Sequence, residues 1–455
     1  MKTHGRDRFI YLLFVFFFLA ISAKIFYLQI CRQDFFGQLA QNQHYRFLKL
    51  EGRRGAILDR RGRNLASGIQ YYSIFADPAL IVNAGQTARL LAAKLDVPVQ
   101  ELRERLTRKK RFVWLKRKIS WELKQEIKSL DLAGVGFLRE EKRFYPQGIL
   151  ASQSLGIVNI DNQGLDGLEL YYNDFLSGKD GSVKMLQDST SRNVMISSQV
   201  IAPQPGADLH LTLDAQIQYW CETFLAETVV KFKAKGGSVV VMEASSGDIL
   251  ALANYPAYDP NDPRTFSSDS MRNAAVCDMF EPGSVFKIVT LLGAIAENKF
   301  SDDDRIDCEN GSWSIPGSTL HDYHPYSILS FKEVFMKSSN IGVAKIAQKL
   351  GPSAMYDYIT RLGFGRRAGI DLPGEISGNV KAISRWSKTS SYIMPIGQEV
   401  GVNLLQLARA VGAIANGGYL VEPHMVKNIC SRGFCKSIPT KKERILPQAV
   451  AERAK

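Results

Sequence analysis

The sequence predicts an α+β protein in three successive parts: a single N-terminal transmembrane helix, a mixed α/β module, and a larger domain in which an antiparallel sheet is packed by helices. Three observations support this prediction. The apolar run Phe9–Ile30 is long enough to cross a bilayer as a helix. Patterns of short strands and short helices alternate over residues 31–205. The apolar segments Gly237–Met242 and 248–252 then read as a hairpin that precedes an apolar helix.

The composition is that of a globular protein. The chain has 455 residues, of which 45% are hydrophobic and 23% charged, so it is long enough for two or three domains and is not disordered. The net charge is +13, and residues 101–128 alone hold eleven Lys/Arg against four Glu. This run is either a nucleic-acid surface or a solvated amphipathic helix face near a membrane. We favour the second interpretation, because no nucleic-acid-binding signature accompanies the run.

The cysteines and histidines predict neither a metal site nor a redox site. The six cysteines include no C-x-x-C pair. Cys430 and Cys435 could close a small loop in an oxidising compartment, and free, buried thiols are expected for the others. His321 and His324 are the one close pair of histidines, and without a third ligand we interpret residues 321–324 as a loop. No cofactor is expected.

The N-terminal apolar run predicts a membrane anchor. Residues 1–8 are short and basic. Since basic residues stay on the cytoplasmic side, we expect residues 1–8 in the cytoplasm and the chain after Ile30 in the periplasm, as in a single-pass inner-membrane protein. A cleaved signal peptide is the alternative, because Lys24 interrupts the run. The apolar stretch resumes beyond Lys24, which favours an uncleaved anchor.

Residues 31–205 are predicted to form the mixed module. We expect a helix over residues 34–50, a β-hairpin over residues 53–66 and a further strand over residues 71–76. Three helical segments are expected after them, over residues 87–95, 99–106 and 164–178. The module contains no catalytic constellation, so a spacer and docking surface is its expected role.

Residues 206–455 are predicted to form the larger domain. The composition changes at residues 203–206, which read Pro-Gln-Pro-Gly. A strand is expected over residues 210–213 and an amphipathic helix over Ala215–Phe232. The predicted hairpin follows, with glycine at its turn.

The first candidate for chemistry is the segment 281–287, Glu-Pro-Gly-Ser-Val-Phe-Lys. Pro282 and Gly283 mark the start of a helix. Residues three apart share one helix face, so the Ser284 hydroxyl and the Lys287 amine are expected to be neighbours. A serine becomes nucleophilic when a base takes its proton, and a lysine with a lowered pKa can be that base. Ser-x-x-Lys is common by chance, so this pair alone favours an ordinary helix start.

A second polar segment, Ser338-Ser339-Asn340, lies between two predicted helices. Two hydroxyls and an amide in a tight interhelical loop can relay a proton and bind a substrate amide. A plain helix cap is the alternative, and on these residues alone it is the more common one.

The whole chain resembles the class B penicillin-binding proteins, the membrane-anchored transpeptidases of bacterial wall synthesis. Ser284 and Lys287 match the Ser-x-x-Lys motif of that class, and Ser338 and Asn340 match its Ser-x-Asn motif. Residues 74–78 look more like the division-type branch than the elongation-type branch. Longer flanking segments are also similar to the family and are more specific than the short motifs: residues 54–66, 145–156, 164–169, 239–260 and 397–418.

The resemblance implies a reaction and roles for four residues. Ser284 would attack the D-alanyl-D-alanine carbonyl of a peptidoglycan stem peptide, and the amino group of a neighbouring stem would then take the acyl group. Lys287 would be the base, Ser338 would shuttle a proton to the leaving amine, and Asn340 would hold the donor peptide. β-Lactams would acylate Ser284 as substrate mimics. A glycosyltransferase and division proteins are expected partners, and no metal, cofactor or nucleic acid is implied.

The chain departs from the family pattern at the third motif, Lys-Thr/Ser-Gly. Lys388-Thr389-Ser390 lacks the glycine and precedes residues 397–418, whereas the family has its motif after that segment. Lys436-Ser437-Ile438 follows it but also lacks the glycine. We therefore expect a domain whose C-terminal end, with its last strand or strands, is incomplete. A catalytically incomplete division scaffold is the second hypothesis.

Overall fold

The computed structural model describes residues 4–32, 45–187 and 193–455. The chain divides into two compact units. The first comprises Met1–Gly52 with Gly178–Gln204, and the second comprises Arg53–Ser177 with Pro205–Lys455.

The helices of the described ranges have the following bounds: α1 His4–Phe26, α2 Ala84–Leu95, α3 Val99–Leu106, α4 Trp121–Lys128, α5 Ser152–Leu155, α6 Gly167–Tyr171, α7 Asn173–Leu176, α8 Ala215–Phe232, α9 Ser268–Met271, α10 Ala274–Cys277, α11 Lys287–Ala296, α12 Phe331–Met336, α13 Asn340–Leu350, α14 Pro352–Arg361, α15 Ser390–Ile393, α16 Leu404–Ala415 and α17 Gln448–Ala454.

The strands of the same ranges are β1 Tyr45–Leu50, β2 Ile57–Leu58, β3 Asn64–Ala76, β4 Val113–Ile119, β5 Val135–Phe144, β6 Gly181–Gln187, β7 Asn193–Ile201, β8 Asp208–Leu211, β9 Gly237–Met242, β10 Ile249–Tyr255, β11 Arg305–Asp307, β12 Ser312–Ile315, β13 Ser318–His321, β14 Ile328–Ser330, β15 Tyr419–Val421, β16 Val426–Ser431, β17 Phe434–Ser437 and β18 Lys442–Arg444.

The first unit contains the apolar helix and a small sheet. α1 continues into a π-helical turn at Tyr27–Cys31, and the run Phe9–Ile30 has a mean hydropathy of 2.4. Among the described residues it is the one helix long and apolar enough to cross a membrane, as the sequence predicts.

The helix predicted over residues 34–50 is wrong for the part that the structure describes. Tyr45–Leu50 is strand β1, which pairs antiparallel with β6, and β6 pairs in turn with β7. The partner strand lies far along the chain, so the local pattern does not specify this strand. The remainder of the prediction, residues 34–44, lies outside the described residues.

The second unit contains a mixed sheet. Its strand order is β17-β16-β8-β2-β3-β4, and β5 also pairs with β3. β2 and β8 run parallel, whereas the other pairs are antiparallel. Strands from both sides of the predicted boundary at residues 205/206 share this sheet. The division of the chain into domains over residues 31–205 and 206–455 stays a prediction.

The hairpin predicted over residues 53–66 is confirmed, but its second strand is longer than predicted. β2 and β3 are joined by a turn in which the Gly62 N–H donates to the Asp59 carbonyl at 3.0 Å, and Gly62 has a φ of +80°. β3 is 13 residues long, so the separate strand predicted over residues 71–76 is its second half.

The basic run 101–128 is not a single helix, because it is divided among α3, β4 and α4.

A buried ion network holds the base of this hairpin. The Glu169 carboxylate, which is fully buried, accepts hydrogen bonds from Arg54 Nε at 2.7 Å and from Arg143 Nε at 2.6 Å. Arg143 also donates to the Gly55 carbonyl at 2.6 Å. Buried charges are stable only when they are paired and hydrogen-bonded. The network therefore ties the segment before β2 to β5 and α6.

The helices of the second unit form its largest apolar core around α11. This helix packs against α13, α14 and α17, and its residues Val289, Leu292 and Ile295 are buried. The predicted helix Ala215–Phe232 is confirmed as α8. It packs on β9 and β10, the predicted antiparallel hairpin.

The cysteines agree with the sequence prediction in part. Cys430 and Cys435 form a disulfide across the β16–β17 pair. Cys308 is a free, buried thiol, whereas Cys221 and Cys277 are free and only partly buried.

Candidate active site

Ser284 lies in a helical turn at the start of α11, as predicted. The turn Gly283–Phe286 is a 3₁₀ helix, and α11 begins directly after it at Lys287. Ser284 is exposed, whereas Lys287 is only 4% exposed. The turn therefore presents a hydroxyl to solvent while it keeps an amine in the protein interior.

A neighbouring backbone segment supports this turn. The Gly283 N–H donates to the Gly397 carbonyl at 3.2 Å, and Phe280 and Val402 exchange two backbone hydrogen bonds of 3.0 Å. A Cβ atom on Gly397 would lie 2.1 Å from the Gly283 carbonyl oxygen. Only glycine fits there, so residues 397–402, family-like in sequence, hold the Ser284 turn by close backbone contact.

Lys287 contacts the second predicted motif. Its ammonium donates to the Ser338 carbonyl at 2.6 Å and to Ser338 Oγ at 2.9 Å. Burial lowers the pKa of Lys287 to about 8, although the Asp322 carboxylate acts in the opposite direction. Lys287 is consequently neutral in a minority of molecules just below pH 8, and that neutral form is able to accept a proton.

The segment Ser338-Ser339-Asn340 joins α12 to α13. Ser338 is exposed and has a left-handed φ of +54°, a non-helical conformation between the two helices. Ser339 is fully buried and is the N-cap of α13, with its Oγ accepting from the Gly342 N–H at 2.9 Å. The Asn340 side-chain amide donates to the His321 carbonyl at 2.8 Å. The helix cap is therefore confirmed at Ser339, whereas the proton relay through Ser338, which is hydrogen-bonded to Lys287, stays a prediction.

Asp322 is part of this arrangement, and sequence reasoning missed it. Its carboxylate accepts from Ser339 Oγ at 2.6 Å, from the Ile341 N–H at 3.0 Å and from the Asn340 N–H. The predicted loop at residues 321–324 begins where β13 ends at His321. Asp322 and Ser339 are 17 residues apart, so no local pattern connects them.

The two partial matches to the third motif lie elsewhere. Lys436 and Ser437 are on β17, where both are exposed at an end of the mixed sheet. Ser390 begins α15, and its Oγ donates to Glu399 Oε2 at 2.6 Å. In the part of the chain that the structure describes, neither match makes a hydrogen bond to Lys287 or Ser338.

Comparison with known proteins assigns the family. Residues 237–452 match the penicillin binding protein transpeptidase domain, and residues 49–211 match the penicillin-binding protein dimerisation domain. The probable peptidoglycan D,D-transpeptidase PbpC of Pseudomonas aeruginosa is 35% identical over 419 residues, which is 91% of this chain and 74% of the relative. This chain belongs to the penicillin-binding protein transpeptidase family.

Other members of the penicillin-binding protein family are similar over nearly the same length. The probable peptidoglycan D,D-transpeptidase PenA of Neisseria gonorrhoeae is 36% identical over 92% of this chain and 73% of the relative. Peptidoglycan D,D-transpeptidase FtsI of Escherichia coli is 30% identical over 94% of this chain and 72% of the relative. By this membership the chain is a peptidoglycan D,D-transpeptidase.

Solved structures of penicillin-binding proteins share the fold. A peptidoglycan synthetase of Bifidobacterium adolescentis superposes with a TM-score of 0.71 at 27% identity, over 90% of this chain and 80% of that chain. Penicillin binding protein 3 of Mycobacterium tuberculosis, complexed with aztreonam, superposes with a TM-score of 0.68 at 28% identity, over 90% of this chain and 74% of that chain. The predicted fold class is therefore confirmed.

Proposed function

We propose that this protein cross-links peptidoglycan through an acyl-enzyme formed on Ser284. The observation that carries the proposal is the contact between Lys287 and Ser338 beside that serine. A buried amine, whose pKa is lowered to about 8, is hydrogen-bonded to a hydroxyl and lies one helical turn from an exposed serine. A serine nucleophile needs a neighbouring base of this kind.

The first half of the reaction forms the acyl-enzyme. Neutral Lys287 takes the Ser284 Oγ proton as that oxygen attacks the carbonyl carbon of the D-alanyl-D-alanine bond. Ser338, which is hydrogen-bonded to Lys287, passes its hydroxyl proton to the leaving nitrogen and takes up the proton that Lys287 received, so that Lys287 is neutral again. The C–N bond breaks, the terminal D-alanine leaves, and the stem peptide remains as an ester on Ser284. Asn340 holds the amide of the donor peptide.

The second half transfers the acyl group. The amino group of a neighbouring stem attacks the ester carbonyl and loses a proton to Lys287. The C–O bond to Ser284 breaks, Lys287 returns that proton to the Ser284 oxygen, and a peptide cross-link results. A β-lactam would follow only the first half, because the nitrogen that leaves the opened ring stays attached to the acyl group. The complex of the Mycobacterium tuberculosis relative with aztreonam supports this part of the proposal by similarity.

We also infer that the protein acts at the division septum. We infer in addition that it spans the membrane once, with its N-terminus in the cytoplasm. The similarity of residues 74–78 to the division-type branch supports the septal role. The basic residues that precede Phe9–Ile30 support the orientation. A glycosyltransferase and division proteins are the expected partners, because cross-linking needs glycan strands that another enzyme polymerises.

The enzymatic proposal is tested by supplying membranes with a D-alanyl-D-alanine stem peptide and a labelled amine acceptor. We expect the wild-type protein to release D-alanine and to attach the acceptor. Ser284→Ala should do neither, whereas Ser312→Ala, on the exposed side of β12, should do both. A folded wild-type protein that releases no D-alanine would favour the scaffold hypothesis.

The septal role has a separate test. Depletion of the protein from growing cells should produce filaments, because septal synthesis stops while elongation continues. Rounded, swollen cells without filaments would favour an elongation role and would overturn the inference.

A further inference from the structure

The N-terminus of α13 is held by a side chain from another part of the fold. Asp322, just after β13, accepts from the Ser339 hydroxyl at 2.6 Å and from the Ile341 backbone N–H at 3.0 Å, and also from the Asn340 backbone N–H. Ser338 directly precedes these donors, and Lys287 donates to its carbonyl and hydroxyl oxygens.

The Lys287 ammonium and the Asp322 carboxylate therefore make hydrogen bonds to consecutive residues of the same turn. Two opposing effects act on the amine. Burial disfavours the charged ammonium, and the negative charge of Asp322 favours it. In a partly buried site such an interaction is only weakly screened by solvent and salt.

We propose that the Asp322 carboxylate, which is hydrogen-bonded to the Ser338–Asn340 turn that Lys287 contacts, raises the pH at which Lys287 can accept the Ser284 proton. Asp322 is in this account a positioning residue and not a catalytic one, since it acts through Lys287 and the turn. The inference rests on the proposed acyl-enzyme function and specifies how that site is regulated by pH.

The other charged groups around the turn have partners of their own. Lys345 pairs with Glu309 at 2.5 Å. Lys337 pairs with Glu333 at 3.8 Å. The Cys308 thiol lies 3.5 Å from Ser339 Oγ, and burial raises its pKa, so it is uncharged in the working range. The Asp322 carboxylate, in contrast, raises the pKa of Lys287.

The test measures the rate of acylation by fluorescent penicillin as a function of pH in solubilised membranes. Asp322→Asn removes the charge. Asp322→Glu keeps the charge with altered geometry, and Ser339→Ala removes one hydrogen bond while the charge stays. Asp303→Asn, at an exposed position, is the control for a change of net charge alone.

The wild-type rate should rise with pH through a midpoint near the pKa of Lys287, about 8. In Asp322→Asn the midpoint should fall by roughly half a pH unit or more, because the ammonium loses its attractive partner. Below the midpoint, the acylation rate as a fraction of the plateau rate should then rise about threefold. A shift of half a pH unit changes the neutral fraction of Lys287 by that factor, because one pH unit corresponds to a tenfold change. Asp322→Glu, Ser339→Ala and Asp303→Asn should keep the wild-type midpoint, even where the plateau rate falls.

Two kinds of failure are distinguishable. If labelling depends on Ser284 but the midpoint of Asp322→Asn equals that of the wild type, the tuning role is wrong and the proposed function stands. If Ser284→Ala is labelled at the wild-type rate, the proposed function itself is wrong. If the midpoint moves equally in Ser339→Ala and Asp322→Asn, the shift comes from a change in the geometry of the turn and not from the lost charge. That result would overturn the electrostatic inference.

Discussion

The ammonium of Lys287 donates two hydrogen bonds to a single residue, Ser338, at 2.6 Å to its carbonyl oxygen and 2.9 Å to its hydroxyl. The contact joins the first residue of α11 to the turn between α12 and α13. It brings together two short motifs that are 51 residues apart in the sequence. Each motif alone is compatible with an ordinary helix end, and their meeting around a buried amine favours catalysis.

Lys287→Arg should be as inactive as Lys287→Ala. A guanidinium remains protonated at any accessible pH, so it cannot take the Ser284 proton. We expect acylation by penicillin to fall by about 10²–10⁴ in both variants. Lys349→Arg, at an exposed position of α13, should keep the wild-type rate. An active Lys287→Arg variant would show that another group is the base.

Gly397→Ala should disrupt the Ser284 turn. The added Cβ would lie 2.1 Å from the Gly283 carbonyl oxygen, so the backbone that supports Ser284 must move. A displacement of about 1 Å can lower the acylation rate on the order of 10²-fold. Gly374→Ala is the matched control, because Gly374 has a similar φ of +81° with nothing within 4 Å of the Cβ position. Equal penicillin labelling of the two variants would rule out the proposed support by residue 397.

Glu169→Gln should destabilise the protein strongly. The substitution leaves the buried guanidiniums of Arg54 and Arg143 without their shared carboxylate. Breaking a buried charge network in this way costs about 3–5 kcal/mol. Chemical denaturation in detergent measures the loss. Asp262→Asn, whose partner Arg264 is 90% exposed, should change stability far less, because exposed ion pairs contribute little. If Glu169→Gln destabilises the protein as little as Asp262→Asn does, the proposed role of the network is contradicted.

His424 should stabilise the fold more in acid than in base. Burial acts to lower its pKa, but Asp248, whose carboxylate lies 3.1 Å from His424 Nε2, outweighs burial and raises it. A raised pKa in the folded state gives stabilisation that is full below the unfolded pKa and is lost as the pH rises through the folded pKa. His424→Gln should therefore cost more stability at about pH 5.5 than at about pH 8.5. Denaturation at both values, with the exposed His324→Gln as control, checks this. An equal cost at both values would contradict it.

The sequence predicts those parts of the fold whose pattern is local. The apolar run Phe9–Ile30, the helix Ala215–Phe232 and the hairpin around residues 243–248 carry their own periodicity and turn residues, and all three are present. Ser284 was predicted at a helix start because Pro282 and Gly283 are strong local signals.

The missed features depend on contacts between distant segments. Tyr45–Leu50 is a strand because its backbone pairs with that of β6, which begins only at Gly181. Asp322 holds Ser339 because the β12–β13 hairpin ends beside α13. The mixed sheet joins β2 to β8 across the predicted boundary, which a change in composition at residues 203–206 does not reveal. Such pairings follow from tertiary packing, and periodicity in one segment carries no information about them.

The central claim is that Ser284 carries the acyl group. The most direct measurement labels the protein in membranes with a penicillin, digests it and locates the adduct by mass spectrometry. The account predicts one adduct, on the peptide that contains Ser284, and none in Ser284→Ala. An adduct on another residue, or a Ser284→Ala variant that is still labelled at the wild-type rate, would contradict it.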